Sequence, residues 1–231
     1  MAALRASGHP LQYVTGIAAF RYLELRVGPG VFIPRPETEL VAERAMDLLR
    51  PGGTVLEPGT GSGAIALAIA TERRDARVVA TDFSGRALSY ARLNRDRTGA
   101  RVALVCCDLL EAVSPRLQRR VDVVVCNPPY VPPDERGLVA RDVLVHEPHE
   151  ALFSPGDGLG LIRRLLVAAR EWLRPGGWLV FEIGDRQGQS VHGLLRDHGY
   201  AAIDVRRDLT GRERIAEGRR GAGSAGPRER R

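Results

Sequence analysis

An α/β fold on a mostly parallel sheet is the class this chain predicts, on three observations. From Thr54 onward, short apolar runs alternate with helical patterns, a βαβαβ rhythm that calls for parallel strands and right-handed crossovers. One run, Val121 to Val125, is nearly all valine, as expected of a strand covered by helices on both faces. A glycine turn, Gly59-Thr60-Gly61-Ser62-Gly63, stands between the first such strand and helix, where open α/β sheets bind their ligands.

The elements follow in order. Ala18 to Tyr22 and Leu23 to Val27 read as a short β-hairpin, closed by the Gly28-Pro29-Gly30 turn signal. The extended X-Pro segment Phe32 to Glu39 leads into a helix whose apolar face is Leu40, Val41, Ala45, Leu48 and Leu49. Arg50-Pro51-Gly52-Gly53 stops it. Thr54 to Glu57, Arg77 to Asp82, Val102 to Val105 and Val121 to Val125 are the next four strands. Helices start at Ala64 and behind a Ser84 cap. Leu161, Leu165, Ala168, Ala169 and Trp172 mark a further helix, which Arg174-Pro175-Gly176-Gly177 ends before the strand Trp178 to Ile183. A last helix around Val191, Leu194 and Leu195 precedes two strand-like runs, Ala201 to Val205 and Arg214 to Ala216.

Composition sets limits. The 231 residues, 44% hydrophobic, suffice for one such domain. No stretch approaches the roughly 18 apolar residues a membrane helix needs. Met1 to Pro10 lacks the apolar core of a secretory signal, so no membrane association is expected. Cys106, Cys107 and Cys126 form no CxxC pair, which points to a reducing cytoplasm and three small buried hydrophobes. Only His146 and His149 have metal-like spacing, in a proline-interrupted loop, so no metal is expected.

All 34 basic residues are arginine and the formal net charge is +6. Half of it falls between Glu217 and Arg231, where Arg219, Arg220, Arg228, Arg230 and Arg231 outnumber Glu217 and Glu229 by three. That Gly/Arg/Ser/Pro stretch, 217–231, is expected to be a basic disordered tail. Nucleic acid is therefore expected to be met only indirectly or through the tail. The rest divides into an N-terminal extension carrying the hairpin, 1–35, and one domain, 36–216.

Glycines in the 59–63 turn let the backbone approach a ligand with no Cβ in the way. Asp82, nineteen residues past Gly63 at the end of the next strand, can accept hydrogen bonds from both hydroxyls of a ribose. Gly-Thr-Gly-Ser-Gly-Ala also fits the dinucleotide fingerprint, so the turn leaves NAD and S-adenosylmethionine both open.

Asn127-Pro128-Pro129-Tyr130 closes the valine strand at the ligand edge of the sheet. The two prolines restrict the backbone and remove two N–H donors, which frees the carbonyls of Asn127 and Pro128 to face a ligand. Asn127 brings a donor and an acceptor on a short arm, and Tyr130 a flat aromatic face. Such parts can hold a planar –NH2 group by both hydrogens and cover its face.

With Phe32-Ile-Pro-Arg-Pro-Glu-Thr-Glu39 and the glycine turn, this tetrapeptide resembles the HemK/PrmC family of protein-(glutamine-N5) methyltransferases, which modify peptide chain release factors. The likeness runs through Glu147-Pro148, Ala151-Leu152-Phe153, Asp157-Gly158-Leu159 and Gly176-Gly177-Trp178 to Asp208–Arg212. It implies the class I, Rossmann-like methyltransferase fold with a seven-stranded sheet. The cofactor would be S-adenosylmethionine, leaving as S-adenosylhomocysteine. By resemblance, Gly59, Thr60, Gly61, Ser62 and Gly63 line its methionine part, Asp82 its ribose, and Asp108 and Leu109 its adenine. Phe32 and Arg35 fall in the segment that covers it, and Asn127, Pro128, Pro129 and Tyr130 hold the substrate glutamine. Asn127, Pro128 and Tyr130 are the expected catalytic group, with Asn127 also beside the cofactor.

About fifteen residues precede the hairpin, so the family's N-terminal helical domain, which helps engage the release factor, is expected to be missing. Leu109 stands where some relatives carry tryptophan, Ser154-Pro155 replaces a commoner Gly-Gly, and His146 a commoner aromatic. A cytoplasmic monomer is expected. Two other functions fit the residues: an adenine-N6 methyltransferase of RNA or DNA, and a non-catalytic cofactor-binding partner of another methyltransferase.

Overall fold

The computed structural model describes residues 1–221. Two short helices, α1 (Ala2–Ala6) and α2 (Leu11–Thr15), lead into a hairpin of β1 (Ile17–Phe20) and β2 (Leu23–Arg26). Helix α3 (Thr38–Leu48) then opens the alternating part. It continues as β3 (Thr54–Pro58), α4 (Ala64–Glu72), β4 (Arg77–Asp82), α5 (Gly85–Thr98), β5 (Val102–Cys106) and β6 (Val121–Cys126). After α6 (Arg141–His146) come α7 (Gly160–Trp172), β7 (Leu173–Glu182), α8 (Gly188–Asp197), β8 (Tyr200–Arg207) and β9 (Glu213–Arg220).

The main sheet has seven strands in the order β5-β4-β3-β6-β7-β9-β8, and only β9 runs against its neighbours. Strand order reverses between β3 and β6, so a crevice opens beyond their carboxyl ends. The valines of β6 alternate between two cores. Val123 and Val125 meet α3 and α4 on one face, and Val124 and Cys126 meet α7 and α8 on the other. Helix α4 is apolar on every side and buried from Ala64 to Ala70, because the sheet, α3 and α5 enclose it. Ser84 caps α5 as expected, its side chain accepting from the Ala87 N–H.

Several expectations are corrected. The proposed boundary at 216 falls inside β9: Glu217 is 2% exposed and holds Arg44, and buried Arg220 donates to the Leu173 carbonyl. The strand is hidden in the sequence there because a buried, paired charge reads as a solvated one. Residues 222–231 of the expected tail lie outside the described residues. The hairpin does not stand apart from the domain, since Phe20 and Leu25 are fully buried in the same core as α3 and α4. Helix α7 buries Ile162, Leu165, Leu166, Ala169 and Trp172, so its face is turned from the stripe that included Leu161 and Ala168. Arg174–Gly177 does not precede its strand but lies within β7, where pairing jumps from Val121–Leu173 to Val123–Trp178. Of the cysteines only Cys126 is buried; Cys106 is exposed.

Candidate active site

At the end of β3 the chain must turn sharply into α4. Gly59, Gly61 and Gly63 take φ of +71°, +57° and +89°, values that L side chains rarely adopt. A Cβ on Gly59 or Gly61 would meet nothing within 4 Å, so both open onto free space. A Cβ on Gly63 would lie 2.9 Å from Leu67, so this glycine serves helix packing and does not line the site.

That free space is a cavity of about 420 Å³ beyond the carboxyl ends of β3, β4 and β6. Its walls include Phe32, Gly59 to Ser62, Asp82, Asp108, Leu109 and Asn127 to Pro129, eleven of the expected site residues in one place. Arg35, Gly63 and Tyr130 are not in the wall. Arg35 lies over the Phe32 ring, 4.7 Å from its centroid, and pairs with Glu147. Glu147 also accepts from the Ile33 N–H at 3.1 Å, so one buried carboxylate fastens the Phe32 segment against the cavity.

Asp82 is 7% exposed and accepts from the N–H groups of Gly61 at 2.8 Å and Ser84 at 2.9 Å. Each carboxylate oxygen keeps further acceptor capacity, and Asp82 lines the cavity. Burial raises its pKa above the usual aspartate value. Asp108 meets Arg164 at 2.6 Å, and that arginine lines the cavity. The Arg163–Arg164 pair therefore divides its work, because Arg163 holds Asp157. Leu109 adopts φ +44°, and its carbonyl accepts from the Thr81 hydroxyl.

Sequence reasoning missed three carboxylates. Glu57 lines the cavity, accepts from the Thr60 hydroxyl at 2.7 Å and the Ala66 N–H at 2.8 Å, and is pushed by burial up to about 8. The signal was present: it is the single charge in an otherwise apolar strand, two residues before the glycine turn. Glu150 also lines the cavity, from a loop whose pattern carries no such signal. Glu182, 2% exposed at the end of β7, is the third.

Glu182 explains where Tyr130 went. The Tyr130 hydroxyl donates to Glu182 Oε1 at 3.1 Å, and the Tyr130 carbonyl accepts from the Gln187 side chain at 2.9 Å. A half-buried phenol needs an acceptor, and Glu182 supplies it. Burial and the neighbouring carboxylate raise its pKa. Thr38, from the first turn of α3, donates to Glu182 Oε2 at 2.6 Å. Asn127 Nδ2 in turn donates to Thr38 Oγ1 at 3.0 Å. Among the described residues the Pro128 carbonyl accepts no hydrogen bond from the protein.

No group of three or more His, Cys, Asp or Glu suited to a metal occurs among the described residues. No described helix is long and apolar enough to cross a membrane. The carboxyl groups in the cavity wall are Glu57, which burial keeps largely protonated, and Asp82, Asp108 and Glu150, against the guanidinium of Arg164. Such a wall suits a cationic ligand and opposes a pyrophosphate.

Residues 36–159 match the family model "Methyltransferase small domain". The release factor glutamine methyltransferase of Streptomyces coelicolor is 47% identical over 225 residues, which is 94% of this chain and 78% of that protein. That of Mycolicibacterium smegmatis is 42% identical over 218 residues, covering 93% and 76%. In fold, the chain is similar to the Thermus thermophilus 16S rRNA methyltransferase solved in complex with AdoMet and guanosine. The TM-score is 0.63 at 21% identity, over 88% of this chain and 49% of that one. On the family match and the two relatives, this chain belongs to the release factor glutamine methyltransferase family.

Proposed function

We propose that this protein methylates the side-chain amide N5 of a glutamine in a peptide chain release factor, using S-adenosylmethionine. The observation that carries this reading is that Asn127-Pro128 and the glycine turn form walls of one cavity whose charge suits a cation. A protein substrate of the translation machinery places the work in the cytoplasm. All the groups invoked come from one chain, so a monomer suffices.

The residues fit the cofactor. Gly59 and Gly61 present bare backbone to the open cavity, which suits close approach by the methionine part. Asp82 has free lone pairs for ribose hydroxyls, and Asp108 and Leu109 flank the space left for adenine. Glu150 supplies negative charge on the same wall, while Glu57, held largely protonated by burial, braces the turn through Thr60 and Ala66. When bound, S-adenosylmethionine supplies a sulfonium methyl, the electrophile of the reaction.

The other half is an amide nitrogen, a poor nucleophile because its lone pair is delocalised. The barrier of about 18–20 kcal/mol to amide rotation measures that delocalisation. Asn127 Oδ1 and the Pro128 carbonyl can take the two N–H groups and favour a pyramidal nitrogen with its lone pair exposed. Their hydrogen bonds strengthen as positive charge grows on nitrogen, which is selective for the transition state. Holding the reactants in line can supply about 7–11 kcal/mol in favourable cases. No base beside the tetrapeptide is needed, since the proton leaves a cationic product.

The test is to incubate the protein with labelled S-adenosylmethionine and a release factor, then locate the label by mass spectrometry. Label on the glutamine of the Gly-Gly-Gln loop is expected. Label on a nucleic-acid adenine, or none on any macromolecule, overturns the reading.

A further inference from the structure

A side-chain carboxamide has two orientations of nearly equal shape and opposite chemistry, because turning it over exchanges an acceptor for two donors. For Asn127 the choice decides whether the cavity is offered an oxygen or an NH2 group. Nothing on Asn127 itself settles it. The deciding group lies two bonds of the network away. An ionised Glu182 can only accept, so the Thr38 hydroxyl, 2.6 Å from Oε2, must spend its single hydrogen there. Thr38 Oγ1 then has only lone pairs left for Asn127, which must answer with Nδ2 at 3.0 Å. Burial raises the Glu182 pKa, and against it Tyr130 donates to the other carboxylate oxygen, Thr38 donates to Oε2 and Arg214 contributes positive charge nearby, all favouring the carboxylate form. Glu182 itself is outside the cavity wall, while Thr38 and Asn127 are in it.

We infer that Glu182 is a positioning residue for methyl transfer: acting through the Thr38 hydroxyl, it turns the Asn127 oxygen toward the acceptor amide. The inference rests on the proposed role of Asn127 and adds a source of selectivity. An oxygen aimed at the acceptor attracts a carboxamide NH2 and repels a carboxylate, so glutamine is taken and glutamate refused. With Glu182→Gln, a side chain that can donate, Thr38 is free to donate to Asn127 Oδ1. The Asn127 amide then reverses and presents hydrogens to hydrogens.

The experiment compares the full chain with Glu182→Gln, Thr38→Val and Thr38→Ser, using S-adenosylmethionine and a release-factor substrate. Glu182→Gln and Thr38→Val are expected to lower kcat roughly 10- to 100-fold, the scale of supporting-shell substitutions. KM should change by less than about threefold, because the loss is in the transition state. Thr38→Ser, which keeps the hydroxyl, should recover most of the loss. Unchanged cofactor affinity by calorimetry establishes that each variant is folded. A kcat for Thr38→Val equal to the parent, or a Thr38→Ser as slow as Thr38→Val, overturns the inference. The Asn127 side-chain amide signal in 15N NMR gives a readout independent of turnover. It should move in Glu182→Gln, and an unmoved signal counts against the relay. If the parent protein fails to methylate glutamine, the proposed function falls and the NMR result alone decides the relay.

Discussion

Asn127 and Asp82 sit in one cavity but face different partners, so their removal should read out differently. Asn127→Ala deletes the acceptor while leaving the glycine turn and Asp82 intact. Turnover should vanish with cofactor affinity kept within a few-fold, as separate kinetic and calorimetric measurements can show. Asp82→Ala should weaken cofactor binding first, and it also strips the Gly61 and Ser84 N–H groups of their acceptor. Glu57 gives a pH signature. Its pKa is raised by burial from 4.5 to about 8, so the folded state keeps a proton that the unfolded chain has released. Stability should therefore fall as pH rises across that window and level off above it. Glu57→Gln should flatten this slope in denaturant titrations at several pH values. A slope unchanged by the substitution would mean that Glu57 titrates normally. Chemistry of this kind was partly legible in the sequence. Spacing puts Asp82 and Asn127 at strand ends, and both line the cavity, whereas the surroundings of Tyr130 could not be read from the sequence. Its partner, Glu182, is fifty-two residues away in sequence, and no local pattern announces a buried carboxylate.

Among the elements, the glycine turn shows two uses of the same residue. Gly61→Ala and Gly63→Ala both force an L residue to positive φ, at a cost of about 1–2 kcal/mol. Gly63→Ala adds a clash with Leu67 and should lose more stability in urea, while Gly61→Ala should mainly obstruct the cavity and weaken cofactor binding. Equal stability losses in the two variants would contradict the packing role of Gly63. Strand and helix positions were legible from periodicity: β4 spans Arg77–Asp82 as read, and Ser84 caps α5. What periodicity could not supply was the true face of α7. Apolar residues surround several registers of that helix, and only tertiary packing selects Ile162 and Leu166.

For the molecule as a whole, the last strand matters more than its composition suggests. Ending the chain at Ala216 removes the Glu217 partner of Arg44 and the Arg220 contact to Leu173. Such a truncation should lose the cooperative thermal transition of the full chain in calorimetry, and a preserved Tm would contradict this. The overall architecture was legible because a βαβαβ rhythm and a valine-rich strand leave few topologies open. The charged C-terminal strand was not, since Glu and Arg residues pair inside the fold only once distant segments have met.

The position of β9 has an effect on biogenesis. Strand β9 is inserted between β7 and β8, so it is the seventh strand to be synthesised in the main sheet but the sixth in space. Until β9 leaves the ribosome, β7 keeps one flank of backbone N–H and C=O groups bare, an adhesive edge of the kind that seeds misassembly. The β7 edge must therefore wait, exposed, while α8 and β8 are made, and closes only when β9 arrives to fill the gap.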